Sequence, residues 1–242
     1  MSNDGSAVGK KICFVHMPKC GGTSIIYALR HPLLYRDSVR FKSSRATAKA
    51  KRKGWHIDQY REEQLRLLLA KKRYKYVSGH YRCTQSVLDE FEQEWGFFTI
   101  LRDPVKRWFS HYFYNRYKTK RHYKINMSIE EYLESESGKN IGSMYVRFLS
   151  AIPDSRSEEA IQDAIANLKR YSLVGTLENQ EKFTERFKEV FGRELIIPHK
   201  NQSPASKQKQ NEIVTDEIIA RVQEICAPDM AIYKYAVEHL GA

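Results

Sequence analysis

At 242 residues the chain is long enough to bury a core without disulfide or metal staples, and a single domain spanning residues 1–242 is expected. Lys and Arg outnumber Asp and Glu by 41 to 29, a net charge of +12 that attracts anions in general without defining a nucleic-acid binder. Cysteines 13, 20, 83 and 226 show neither a C-x-x-C pair nor zinc-ligand spacing, and no uncharged apolar run approaches the roughly 20 residues that span a bilayer, which argues against a disulfide scaffold and a membrane-spanning segment. Reduced thiols in a cytoplasmic protein are expected, with the polar residues 1–10 disordered.

Ile12-Cys13-Phe14-Val15 is a continuous apolar run of the length of a strand buried on both faces of a parallel sheet, and Pro18 stops it. Lys19-Cys20-Gly21-Gly22-Thr23-Ser24 follows. Gly21 and Gly22 lack the side chains that keep an oxyanion off the backbone, and Thr23 or Ser24 can cap a helix carrying Ile25, Ile26 and Leu29. Unpaired N–H groups, the positive end of a helix dipole and the Lys19 ammonium then converge on one point, an arrangement suited to a phosphate group. A lone Gly-Gly would fit an ordinary turn with a solvated lysine. The strand, lysine, glycine pair and capped helix in this order favour the phosphate cradle. The spacing differs from the G-x-x-x-x-G-K-[ST] loop of nucleoside triphosphatases, because Lys19 precedes Gly21 and no glycine opens the loop.

Between residues 36 and 56 the chain carries Arg36, Arg40, Lys42, Arg45, Lys49, Lys51, Arg52 and Lys53, and this pattern reads as a solvated basic loop or as an electrostatic rim for an acidic acceptor. Leu65, Leu68 and Leu69 repeat at helical spacing, and Tyr74 to Val77 reads as a short strand leading into Ser78-Gly79-His80. His80 therefore falls near the carboxyl end of a strand, where open α/β sheets bind ligands, and is the candidate general base. The other histidines read as surface or structural residues.

Phe97 to Leu101 reads as a second buried strand, followed by Arg102-Asp103-Pro104, in which Asp103 is a good cap and Pro104 suits a first helical position. Val105, Trp108, Phe109, Tyr112 and Phe113 form a core stripe, and the opposite face carries Asp103, Arg107, Ser110 and Tyr114. Arg102 and Ser110 could grip a second anion, the alternative being an arginine paired with the Asp103 cap and a solvated serine. Further on, Ser128-x-x-Glu131 and Ser155-x-x-Glu158 read as capping boxes. Ala160, Ile161, Ala164, Ile165 and Leu168 form one apolar helix face, and Phe183, Phe187, Val190 and Phe191 another. Leu195 to Ile197 reads as a last strand before a polar loop over residues 199–211.

In order and spacing, His16-Met17-Pro18-Lys19-Cys20-Gly21-Gly22-Thr23-Ser24, Gly79-His80 and Arg102-Asp103-Pro104-Val105-x-Arg107-x-x-Ser110 resemble the carbohydrate sulfotransferases of the heparan sulfate 2-O/6-O type and their bacterial relatives. Weaker similarity runs through residues 140–149, Val174-Gly175-x-x-Glu178, the loop at residues 199–203 and residues 229–236. The resemblance implies an α/β fold, a P-loop-like three-layer sandwich with a central parallel sheet flanked by helices. It implies PAPS (3'-phosphoadenosine 5'-phosphosulfate) as co-substrate, PAP as product and no metal. Lys19, Cys20, Gly21, Gly22, Thr23 and Ser24 would hold the 5'-phosphosulfate, with Arg102 and Ser110 on the 3'-phosphate and Lys200 in a loop folded over the nucleotide. His80 would be the base and Lys19 the electrostatic catalyst, moving a sulfuryl group to a hydroxyl of a glycan or sugar-like small molecule. The family usually has threonine or serine in place of Cys20, a weaker donor, so only backbone contact is expected there.

Two rival readings are a P-loop kinase-like phosphotransferase and a non-catalytic nucleic-acid-binding protein. The first lacks the G-x-x-x-x-G-K loop, and the second lacks base-stacking or groove-reading motifs. Neither a nucleic-acid partner nor a membrane span is expected.

Overall fold

The apolar runs read from the sequence form the middle of a parallel sheet. The computed structural model describes residues 7–29, 38–40, 43–119, 123–197, 210 and 212–242. Strands β1 (Lys11–Val15), β2 (Ser38–Arg40), β3 (Tyr76–Gly79), β4 (Trp95–Leu101) and β5 (Leu173–Thr176) lie in the order β2-β3-β1-β4-β5, every pair parallel. All seven residues of β4 are buried, as expected of a strand covered by helices on both faces. Helices flank the sheet in an α/β three-layer sandwich: α1 (Gly22–Leu29), α2 (Ser43–Lys53), α3 (Ile57–Leu69), α4 (Gln85–Phe91), α5 (Pro104–Tyr117), α6 (Ile129–Glu134), α7 (Glu136–Ile141), α8 (Met144–Leu149), α9 (Glu158–Lys169), α10 (Gln180–Phe191), α11 (Asp216–Ile225) and α12 (Ala227–His239). Among the described residues no helix is long and apolar enough to cross a membrane.

The strand order fixes where a ligand can sit. The chain leaves β1 toward the β2 edge and leaves β4 toward the β5 edge, so the connections from these neighbouring strands diverge and open a crevice at their carboxyl ends. Register aligns the rims: Val15 pairs with Gly79, Phe14 with Phe98, and the His16 N–H donates to the Gly79 carbonyl at 2.9 Å. His16 and His80 thus both lie one residue past the ends of adjacent strands.

Packing behind the sheet is aromatic. Phe98 stacks on Phe14 at 4.6 Å between ring centroids and meets Phe187 edge-on at 5.4 Å, with Phe183 and Phe191 of α10 on either side. Burying each such ring stabilises the fold by about 1.5–3 kcal/mol relative to leaving it exposed. A second cluster, containing Trp108, Tyr112, Phe113, Tyr132 and Val222, joins α5 to α6 and α11.

Several expectations are corrected. Residues 36–56 are not simply a basic loop, because β2 and all of α2 lie within them. Ala50 is buried, and Lys51, Arg52 and Lys53 fall in the last turn of α2, where cations meet the negative end of the dipole. Of residues 1–10, positions 7–10 are ordered against the fold, Ala7 being buried with its N–H 2.9 Å from the Val190 carbonyl. The cap of α9 is Ser157, whose hydroxyl accepts from the Ala160 N–H, while Ser155 is 2.8 Å from the Ser143 hydroxyl. Ser128 and Glu131 do form the expected capping box. Residues 195–197 are not a strand, since among the described residues no strand pairs with them.

Arg107 also departs from expectation, being wholly buried where the helical pattern put it on the outer face. Its guanidinium meets the Asp229 carboxylate at 2.8 Å and the Ile141 carbonyl at 2.5 Å. Asp229 in turn accepts from the Tyr145 and Val146 amides at 2.8 and 3.3 Å, so one ion pair ties α5, α7, α8 and α12. Burial pushes the Asp229 carboxyl up to about 6, against the pull of Arg107 and the amides. Arg107→Met strands this carboxylate, and urea unfolding should show a loss of about 3–5 kcal/mol. Arg107→Met/Asp229→Asn should recover most of that loss, because the amide oxygen still accepts from the α8 backbone. A single variant costing less than about 1 kcal/mol would show that the pair is not sealed from water.

Candidate functional site

The loop after β1 turns sharply before entering α1. Lys19 and Gly21 both adopt left-handed backbone, with φ of 69° and 71°. Glycine takes this conformation freely, whereas for lysine it costs about 1–2 kcal/mol and the surrounding packing must enforce it. The helix begins at Gly22, so Thr23 and Ser24 lie in its first turn and neither is the residue preceding it. The N–H groups of Gly21, Gly22 and Thr23 have no acceptor among the described residues, while that of Ser24 donates to the Gly21 carbonyl at 3.0 Å. Three amide donors therefore converge at the positive end of α1.

The two residues between the glycines and Pro18 meet different partners. The Cys20 thiol is fully buried, 3.3 Å from the Tyr145 hydroxyl, and burial pushes it up to about 11. Only its backbone faces the loop. Lys19 is half-buried, its ammonium 3.7 Å from the centre of the Tyr114 ring on α5. Burial first, then the charges of Arg102 and Lys118, lower its pKa to about 8.

The loop after β4 supplies the second cation. Tyr145 accepts from the Arg102 N–H at 2.9 Å and donates to the Arg102 carbonyl at 2.7 Å, and the Arg102 guanidinium reaches the Lys19 carbonyl at 3.4 Å. Asp103 caps α5 by accepting from the Lys106 N–H at 2.8 Å. Its own N–H donates to Glu178, just past β5, which also accepts from Tyr233. Ser110 lies four residues before Tyr114 and so shares the flank of α5 that meets Lys19.

His80 is half-buried one residue past β3, with Nδ1 2.7 Å from the His16 carbonyl. A carbonyl only accepts, so Nδ1 carries the proton and Nε2 of the neutral ring carries the lone pair. His111, beside the second motif, is a different case: burial and the charges of Arg107, Lys19 and Lys118 lower it to about 3, which leaves a feeble base.

The structure thus brings together the loop of Lys19 to Ser24 with Arg102, and it places Ser110 on the adjoining helix flank. Lys200 lies outside the described residues. Tyr114 and Lys118, which the sequence puts on the Ser110 face and in the basic and aromatic stretch from Tyr112 to Tyr123 suited to an acceptor, lie beside Lys19 instead. Tyr145 belongs to the same neighbourhood and was not singled out in the sequence. Among the described residues no group of three or more His, Cys, Asp or Glu side chains could hold a metal ion. A separate cavity of about 570 Å³ lies between α5, α6 and α11, lined by residues that include Tyr112, Arg116, Tyr117, Ile129 and Arg221, and none of its lining residues comes from the loops after β1, β3 or β4.

Comparison with models of known protein families gives no match, and no curated protein matches the sequence.

The lowered pKa of Lys19 gives the cradle a pH signature. Below about 8 the lysine is charged and attracts an anion, and above it the neutral amine does not. Affinity for inorganic phosphate or sulfate should fall as pH rises through about 8, with proton uptake on binding in that range. Calorimetry in buffers of different ionisation enthalpy measures both, and Lys19→Met should abolish the dependence. An unchanged profile in that variant would place the titrating group elsewhere.

Proposed function

We propose that this chain is a PAPS-dependent sulfotransferase acting on a hydroxyl of a carbohydrate or sugar-like acceptor. The observation that carries the reading is the meeting of two cation-bearing loops, after β1 and β4, at the point where the sheet connections diverge, with the lone-pair nitrogen of His80 past the adjacent strand β3. A donor with an anionic group at each end of its ribose needs two such loops, and an acceptor hydroxyl needs a base beside them.

In this reading the amides of Gly21, Gly22 and Thr23 hold the 5'-phosphosulfate, with Lys19 at the bridging oxygen. Arg102 and Ser110 hold the 3'-phosphate. As the acceptor oxygen attacks sulfur in line, Nε2 of His80 takes its proton, the S–O bond to phosphate breaks, and negative charge builds on the departing phosphate. Lys19 and the loop amides stabilise that charge more in the transition state than in the ground state, which is the condition for accelerating the step. Hydrogen bonding from Nδ1 to the His16 carbonyl holds His80 in the tautomer that can accept the proton.

The acceptor class rests on surface chemistry. Basic residues Lys49, Lys51, Arg52 and Lys53 of α2 favour an acceptor that also carries negative charge.

Arg102→Ala should weaken binding of PAP far more than binding of adenosine 5'-phosphosulfate, measured by calorimetry. Equal losses would remove Arg102 from the 3'-phosphate. His80→Ala should leave PAP affinity nearly unchanged while kcat falls by about 100- to 10,000-fold in a screen of sugar acceptors with labelled PAPS. Preferential binding of ATP with magnesium over PAP would overturn the assignment in favour of phosphoryl transfer.

A further inference from the structure

Gly21 and Gly22 are glycine for different reasons. At Gly21 the requirement is backbone conformation, because an added methyl would meet only the Cδ1 end of Leu177, 2.6 Å away, which is free to rotate, whereas φ is 71°. At Gly22 φ is not in the left-handed region, and the obstacle is another side chain. A Cβ there would lie 2.0 Å from Nε2, 2.1 Å from Cδ2 and 2.7 Å from Cε1 of His16. The edge of the imidazole fills the space that a side chain at position 22 would need.

That ring has nowhere to retreat. His16 is 6% exposed, stacked on Phe14 at 5.2 Å and 19° on one side, and against the His80 ring at 4.3 Å and 34° on another. Its backbone is held as well, the N–H by Gly79 and the carbonyl facing His80 Nδ1. Displacing the imidazole away from α1 therefore presses on Phe14, which is locked against Phe98, or on His80, which is half-buried and the softer of the two.

We propose that His16 is a positioning residue that sets the orientation of the His80 ring, and that Gly22 is glycine to admit His16 rather than to let an anion approach the backbone. One imidazole then couples the first residue of α1, where the donor anion would sit, to the base on β3. This rests on the reading of His80 as the base. It assigns His16 no proton transfer. His16 acts through its carbonyl, which fixes the His80 tautomer, and through its ring, which fixes the His80 tilt.

The test uses the full chain as wild type, Gly22→Ala, His16→Ala and His16→Ala/Gly22→Ala. In Gly22→Ala the displaced ring should lower Tm by about 5 °C, as overpacking does. Imidazole ¹⁵N spectra should show His80 losing its single Nδ1–H tautomer. In the double variant the methyl occupies vacated space and the carbonyl of residue 16 remains, so Tm should return to that of His16→Ala and the single tautomer should reappear. PAP affinity, measured by calorimetry, should differ by less than about threefold between the double variant and His16→Ala, under 1 kcal/mol, so that any loss in Gly22→Ala alone traces to the displaced ring. If Gly22→Ala does not fold, recovery of folding by His16→Ala is the supporting result. The proposal is overturned if Gly22→Ala costs the same Tm in both backgrounds, or if it weakens PAP tenfold or more in both, since glycine would then serve the anion. Failure of the donor reading looks different: wild type would not bind PAP, while the Tm and ¹⁵N comparisons would still report on His16.

Discussion

The hydroxyl of Tyr145 is the contact on which the geometry of the candidate site depends. It donates to the Arg102 carbonyl, accepts from the Arg102 N–H and lies 3.3 Å from the Cys20 thiol. A hydroxyl has one proton and two lone pairs, so with its proton committed to Arg102 it can only accept in the third contact, from a thiol whose own proton also has the Pro18 carbonyl within 3.7 Å. Burial holds the Tyr145 phenol well above its usual pKa, so that proton stays in place. The ends of β1 and β4 are thus joined by a side chain from α8, and α8 is itself held by Asp229 and Arg107. A loop that must present amides to an anion is fixed by a network buried behind it. This is how a site keeps its shape when its own polar groups point at solvent.

The charges at the strand ends differ from those elsewhere in the fold. Arg61, Arg66, Arg82, Arg107, Arg147 and Arg170 all meet carboxylates within salt-bridge distance. Lys19, Arg102 and Lys118 meet none among the described residues: their partners are the Tyr114 ring, the Lys19 carbonyl and the Asn115 side chain. Half-buried cations that repel one another are unfavourable, and burial lowers the pKa of both lysines. Such a cluster of charge in a crevice is the feature on which the proposed anion site rests.

The parts of the fold that the sequence made legible are those governed by local signals. Ile12 to Val15 is an unbroken apolar run, Phe97 to Leu101 is interrupted only by Thr99, and Asp103-Pro104 announces α5 with a cap and a fixed φ. What escaped depends on distance in the chain or on weak periodicity. Helix α2 is mostly Lys, Arg, Ser and Ala and buries little apolar surface, so its pattern resembles that of a solvated loop. Strand β5 is four residues with a glycine inside, too short to stand out. Arg107 sits in an amphipathic pattern as a surface residue, because its partner Asp229 is 122 positions away. The glycine pair was legible as the turn from β1 into α1, but the contact of Gly22 with His16 was not, since it arises only when β1 and α1 fold back on each other.

The resting place of Lys19 bears on what the cradle can hold. In this structure its ammonium sits over the Tyr114 ring rather than among the amides, a contact worth about 0.5–2 kcal/mol at partly desolvated sites. A ligand that draws the ammonium across must replace that attraction. One charge-assisted hydrogen bond contributes about 1.5–3 kcal/mol, which leaves little surplus for a lone monoanion. A ligand with two anionic groups gains from Arg102 as well, and it relieves the repulsion between Arg102 and Lys19 that lowers the lysine's pKa. On the proposed reading the tyrosine would act as a threshold: it would weaken every anion by a similar amount, and the ligands still held would be those that engage both strand ends at once.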